Sequence, residues 1–484
     1  MSTSITRVIR VILEFVSYAI TNGQPLVCNE QVWPSCIPAQ IIAAPDNFYP
    51  EPQFSEPTVP IIPKEEIPKI SPPAASPLLV IPKPTTTPKK PVPASRNILP
   101  LRLTQEADLI AAQTAWKYFE RNWNLQTGLV NSVDNLKWTT WWDQGSALLG
   151  IHAARQLGLL PSDLFQQRMN TLLRTLETLP LPATGLPNKA YSTHTAQMRS
   201  LNDSPDPQGK SGWSVLDLAR FLLALDVMRS HYPEYSDRIN RIVARWNLSR
   251  LVKNGWLNGG ISTSTGKIQE VQEGRLGYEQ YAAHSLKLWN IHAPNALSTP
   301  PVQTVEVDGI TLQADKRNLK NSGATNYLTN DPYLLWGLEI GWPDSLLPQV
   351  QNLFKVQAQR FQRTGILTAV NEDSLDRPPY FLYYSVYSNG QPWQAENVNG
   401  KTYPQLRFLS TKAAFSWLAL LPDQPYAQML HNSVQNLADK NRGYFSGKYE
   451  NQKLGINTSV DVNTNAVILE SLLYKARNKQ PLIF

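Results

Sequence analysis

Residues 212–225 read GWSVLDLARFLLAL, from Gly212 to Leu225. The stretch is strongly apolar at helical spacing, yet it carries an acid, Asp217, and a base, Arg220. Such an acid costs several kcal/mol if unpaired, on the order of 2–7 for a buried polar group. It must be hydrogen-bonded, shifted in pKa, or turned toward a polar pocket. Working outward, apolar residues recur at spacings of three and four over Thr104–Trp123, Thr139–Leu157 and Pro161–Leu179, the last with Ser162 as an expected N-cap. Gly212–Arg229 is followed by Pro233–Lys253, Glu273–Trp289, Pro332–Ile340 and Ser345–Phe361. Thr411–Leu421, Pro425–Asp439 and Thr464–Arg477 complete about eleven helices, mostly paired.

Strand signals are few. Val302–Ala314 alternates around Asp308-Gly309 and reads as a hairpin insertion. Long connections remain near 254–272, 291–329 and 363–409, rich in aromatic and acidic residues. Connections of that length inside a compact domain are usually functional. Paired helices of this number suit an α-solenoid or a closed ring. A solenoid should repeat a unit of about 30–45 residues, and Trp, Gly and Pro show no fixed period here. The expectation is therefore an all-α (α/α)6 toroid with long functional loops and a small β-hairpin insertion, spanning 101–484.

The chain before it is a different material. Sixteen of the 39 Pro lie between Pro45 and Pro100, and 13 of the 14 Trp lie after residue 101. Proline every three or four residues removes backbone donors and fixes φ, so 45–100 is expected to be a disordered, extended linker. Residues 1–44 hold a weak secretory pattern: Arg7 and Arg10 precede a short apolar run that Glu14 interrupts. If exported, Cys28 and Cys36 have the means to pair. A periplasmic or extracellular location at the cell envelope is expected. No apolar stretch reaches 18 residues, so no integral membrane segment is expected. A net charge of +7 with scattered Lys and Arg does not imply nucleic acid. Two Cys and six scattered His give no zinc spacing, so neither metal nor cofactor is expected. A monomer is expected.

Carboxylates and aromatics carry the chemistry that is left. Asp143 lies in TTWWDQGSALLGI beside Trp142, and Asp217 lies near Trp213. Glu270, Glu273 and Glu279 bracket Arg275 and Tyr278, with Glu273 where a loop meets an apolar helix. A helix dipole stabilises an acid in that place whatever its function. Glu372, Asp373 and Asp376 precede Tyr380, Phe381, Tyr383, Tyr384 and Tyr387, and Trp393 follows. Aromatic faces along a cleft suit the apolar faces of sugar rings, although a buried strand with alternating Tyr reads the same way. Asp461 opens the last helix and suits an N-cap equally well. No nucleophile elbow, dinucleotide fingerprint or P-loop is present.

The strings AWKYFERNWNLQTGLVNSVD, TTWWDQGSALLGIHAARQLGLL, LPNKAYSTHT, GWSVLDLARFLLAL, QEGRLGYEQYAA, STKAAFSWLALL and NTNAVILESLLYK resemble the bacterial domain of unknown function 3131, over about 105–480. A more distant similarity is to glycoamylase-like (α/α)6 families, which include endo-β-1,2-glucanases. It rests on Ser214-Val215-Leu216-Asp217-Leu218, on Gln272-Glu273, on Ser410-Thr411-Lys412-Ala413-Ala414 with Pro422-Asp423, and on Ser459-Val460-Asp461-Val462-Asn463. That resemblance implies functional acids at Asp217 and Glu273 and a pocket residue at Asp461.

The expectation is a protein acting on an envelope or extracellular poly- or oligosaccharide, in the manner of a glycoside hydrolase. Glu273 would be general acid, with Asp217 or Asp461 directing water. Asp143, Trp142, Trp213, Arg275, Tyr278, Glu372, Asp373, Tyr383, Tyr384 and Trp393 would bind substrate. An inverting pair needs its carboxyls roughly 6.5–9.5 Å apart. The alternatives are a non-catalytic glycan-binding or polysaccharide-assembly protein, and a lyase using Arg275, Tyr278 and His284.

Overall fold

The computed structural model describes residues 101–483 apart from 264, 299 and 300. The secretory pattern at 1–44, the Cys28 and Cys36 pair and the Pro-rich linker 45–100 lie outside the described residues. Eleven helices of nine residues or more occur among the described residues. Six are buried along most of their length: α2 (Trp141–Gln156), α4 (Val215–His231), α6 (Tyr278–Lys287), α7 (Asp331–Glu339), α9 (Thr411–Leu420) and α11 (Val462–Ala476). Each touches the next in that order, and α11 returns to α2, so the contacts form a closed circuit. Gly145 on α2 permits one of these approaches, because a Cβ there would meet Arg220 Cγ at 2.8 Å.

The other five are α1 (Glu106–Asn122), α3 (Ser162–Thr178), α5 (Ser236–Ala244), α8 (Leu347–Thr364) and α10 (Pro425–Val434). Each buries one face. In α3 that face is Phe165, Met169, Leu172, Leu173 and Leu176, at the three-and-four spacing of a surface helix. Ser162 is its first helical residue rather than its cap, and Pro161 takes the cap position.

Strand content exceeds the single hairpin expected. That hairpin is present, as β3 (Val302–Val307) and β4 (Ile310–Asp315) around Asp308-Gly309. The other long connections also fold into hairpins. They are β1 (Trp256–Ser262) with β2 (Ile268–Gln272), and the sheet of β5 (Glu372–Ser374), β6 (Phe381–Ser388) and β7 (Gln391–Glu396). Gly259 and Gly260 weaken the β1 signal, since glycine lowers strand preference. They are placed there for close packing: a Cβ on Gly260 would meet the Trp213 ring at 2.4 Å.

The N-terminal ends of the buried helices gather at one end of the circuit. Asn463 of α11 donates to Asp143 of α2 at 2.9 Å, and Lys412 of α9 lies 3.3 Å from Asp331 of α7. The hairpin loops close over that end. Arg317, just after β4, reaches Glu279 of α6 at 2.6 Å and so ties the β3–β4 hairpin to the start of α6.

Candidate active site

A cavity of about 260 Å³ opens at this end. Its walls include Lys189, Trp213, Glu273, Arg275, Tyr278, Tyr327, Glu372 and Tyr383. Six residues expected to act on substrate therefore share one cavity: Glu273, Trp213, Arg275, Tyr278, Glu372 and Tyr383.

Glu273 does not begin a helix. It follows β2 directly, and α6 starts only at Tyr278. Gly274 and Gly277, at φ of 100° and 95°, turn the chain between them through conformations that favour glycine. The carboxyl reaches the start of a different helix. Val215 N–H donates to Oε2 at 2.7 Å, and the Ser214 hydroxyl lies 2.8 Å from Oε1. Ser214 is the N-cap of α4 and also lies 2.9 Å from Asp217 Oδ1. One hydroxyl carries one proton, so two such short contacts to carboxyls require a proton on a carboxyl as well. Burial pushes Asp217 up to about 7, and the neighbouring Glu273 charge adds to the effect. Burial also raises Glu273, against the opposing pull of Lys189, Ser214 and the Val215 amide. The donors around Glu273 favour its anion, and that charge holds the Asp217 carboxyl up. Both acids touch the same hydroxyl, so their nearest oxygens are no more than about 6 Å apart.

Gly259 leaves the room that Glu273 occupies, because a Cβ there would meet Oε2 at 2.3 Å. Gly259→Ala is expected to fold with a melting temperature within a few degrees of wild type. It should displace the Glu273 carboxyl and abolish whatever activity depends on it, as read by thermal melting and a turnover assay side by side.

The same cavity is lined by a second set. The Tyr278 hydroxyl donates to Glu372 Oε2 at 2.7 Å. Tyr383 pairs with Glu372 in register across β5 and β6, and its ring stacks on Tyr327 with centroids 3.9 Å apart and planes 5° from parallel. Behind Glu372, the buried Lys412 ammonium stands 3.3 Å from Asp331 and 3.6 Å from Asp373. Burial first, then the charge of Asp331, pushes Glu372 up to about 8 despite Lys412. Burial likewise pushes Asp373 up to about 8.

Acids whose pKa is higher folded than unfolded hold protons that the unfolded chain has released. Stability from these groups is greatest below about pH 4 and falls as pH rises through about 7 to 8. The melting temperature is expected to drop between pH 5 and pH 8.5, with a shallower drop in Asp217→Asn. Equal slopes for the two proteins would contradict the assignment.

Several expected site residues lie outside the cavity wall, Asp217 among them, which stands behind Glu273 at the Ser214 hydroxyl. Asp143 belongs to the capping box of α2, where it accepts from Thr140 N–H at 3.1 Å and from Asn463 at 2.9 Å. Asp461 caps α11, accepting from Thr464 N–H at 2.7 Å and from Ser446 at 2.6 Å. Trp142 packs against Tyr278 and Tyr281 with the Arg220 guanidinium over its ring. Tyr384 points into the core and donates to Glu450 at 2.7 Å. Trp393 is buried beneath Arg360, and Asp373 stands behind the wall beside Lys412. Glu270 and Glu279 are held in ion pairs by Arg250 and Arg317. Lys189, Tyr327, Ser214 and Lys412 were not singled out from sequence. Lys189 lies in the LPNKAYSTHT string without any sign of a role, Tyr327 sits in a polar loop without a motif, and the hydroxyl and the ammonium read as ordinary helix-start residues.

A helical circuit with a carboxylate-rich, aromatic-walled cavity at its helix N-termini is the fold shared with glucoamylase-like and glucanase structures. The chain belongs to the family described as "Protein of unknown function (DUF3131)", whose model matches residues 110–478. A search of curated proteins finds no match. Among solved structures it is similar to an endo-β-1,2-glucanase from Chitinophaga pinensis in complex with sophorotriose and glucose. The identity is 10%, covering 78% of this chain and 95% of that one, with a TM-score of 0.53. A glucoamylase-like protein from Bacteroides fragilis is 15% identical over 81% of this chain and 97% of that one, also at 0.53. An endo-β-1,2-glucanase from Talaromyces funiculosus with sophorose is 12% identical over 77% and 86%, at 0.51. At these identities the likeness is one of fold. Among the described residues no helix is long and apolar enough to cross a membrane.

Proposed function

We propose that this protein is a glycoside hydrolase-like enzyme that cleaves a poly- or oligosaccharide in the cavity bearing Glu273 and Glu372. The contact circuit supports an (α/α)6 toroid, with the cavity at the mouth of the ring. The observation that carries the reading is the pair Asp217 and Glu273, joined through Ser214, with Glu273 in the wall of an aromatic cavity. Proton exchange with a glycosidic oxygen or a water needs such groups near neutral pH. The stacked Tyr327 and Tyr383 offer apolar ring surface to sugars, and Lys189 offers a donor to hydroxyls. Linear β-1,2-glucan heads the substrate panel, because glucanases acting on it share the fold. A site outside the cytoplasm, with the Pro-rich segment as tether to the envelope, and a monomeric chain complete the proposal.

The test is incubation of the full chain with β-1,2-glucan, other β-glucans, α-glucans and envelope polysaccharides, followed by product analysis. New reducing ends from one of them are the expected result. Binding without cleavage throughout the panel overturns hydrolysis and leaves a glycan-binding or assembly protein.

A further inference from the structure

Asp217 and Glu273 cannot by themselves be the two flanking carboxyls of an inverting hydrolase. They meet at one hydroxyl, closer than the roughly 6.5–9.5 Å that leaves space for a water and a sugar ring, and of the two only Glu273 lines the cavity. An inverting mechanism therefore needs a further carboxyl in the cavity. Asp461, the third acid suggested by sequence, is tied up as the cap of α11 and does not line the cavity. Glu372 does line it, from β5, on an element separate from both α4 and β2.

Resting on the hydrolase reading above, we propose that Glu372 is the second catalytic carboxyl and donates the proton to the leaving oxygen, with Glu273 activating water in the same cavity. The C–O bond to the leaving sugar breaks as its oxygen takes the Glu372 proton. The water oxygen bonds to the anomeric carbon and passes a proton to Glu273. Exchange with solvent then returns one proton to Glu372 and removes one from Glu273.

The surroundings suit these roles. Tyr278 occupies Oε2 of Glu372, so Oε1 is left to carry the proton. The charged and titratable groups facing Glu372 are Asp331, Asp373, Lys412, Tyr278 and Tyr383. Two acids against one ammonium favour its protonated form, while Lys189, Ser214 and the Val215 amide favour the anion of Glu273. Lys412 is a positioning residue: held by Asp331 and Asp373, it fixes the two acids behind Glu372 rather than touching substrate.

The experiment compares wild type with Glu372→Gln on β-1,2-glucan, or on whichever panel glycan is cleaved, and on the matching 2,4-dinitrophenyl glycoside. That leaving group needs no proton. Loss of a general acid should slow glycan cleavage by about 10²–10⁴-fold while the aryl glycoside is slowed less than about tenfold. Equal losses on both, or full activity on the glycan, overturn the assignment. Tyr278→Phe is the second variant. Removing that donor should move the alkaline limb of kcat/KM to higher pH, and an unmoved limb overturns it too. Wild type that cleaves nothing overturns the hydrolase reading itself, and this inference with it.

Discussion

Glu273→Gln is expected to lower glycan turnover by at least about 10²–10⁴-fold in a protein that remains folded. The side chain keeps its shape. Its remaining oxygen can accept from Val215 N–H, and its new amide can donate to the Ser214 hydroxyl, so the start of α4 stays closed. What is lost is the charge. Without it Asp217 no longer faces a neighbouring anion, and its carboxyl should titrate closer to the ordinary range. Both effects are measurable: product release for the first, and NMR titration of the Asp217 carboxyl for the second. Turnover that survives the substitution unchanged would remove Glu273 from the chemistry.

The second large effect is on stability. Arg220 is fully buried in the middle of the helical circuit. Its Nη1 donates to Glu339 at 2.7 Å and to the Tyr281 hydroxyl at 2.8 Å, and Nε donates to Ser146 at 3.0 Å. Glu470 lies 3.7 Å from Nη2 and is also fully enclosed. Burial and the Glu339 charge push Glu470 well above the usual carboxylate range. Removing the cation leaves Glu339 buried and uncompensated. Arg220→Met should therefore cost about 3–5 kcal/mol in chemical denaturation, the usual penalty for breaking a buried pair from one side. Adding Glu339→Gln should recover part of that loss, because the two residues are coupled. Strictly additive losses would show that the pair is not the source of the stability.

The helices were legible because their signal is local. Apolar spacing in α3 or α4 is written in adjacent residues, and the Asp308-Gly309 turn announces its own hairpin. The ends were less legible. Pro233–Lys253 reads as one helix, but regular helix covers only Ser236–Ala244 and the chain reaches a short strand at Val252–Lys253. Apolar residues there serve helix and strand alike. Glu273 was found by its company in sequence, yet its meaning depends on Ser214 and Val215, 59 and 58 residues away. Asp143 and Asp461 carried the same local signature as Asp217, an acid near the start of an apolar helix. Only the fold separates the two caps from the acid that meets a second carboxyl across a hydroxyl. Lys412 shows the same limit, since one lysine in an apolar helix gives no sign of the acids brought to it from β5 and α7.

The closed circuit also governs how the protein comes to be folded. Asn463 must find Asp143 across 320 residues of sequence, and α11 cannot dock on α2 until it has been synthesised. Contacts that distant slow folding, because the intervening chain must be ordered first. The first helices therefore wait with apolar flanks exposed, and the last one both seals the ring and completes the polar bonds beneath the cavity. A chain interrupted before α11 would be a target for aggregation and proteolysis, with no partly active form on the way.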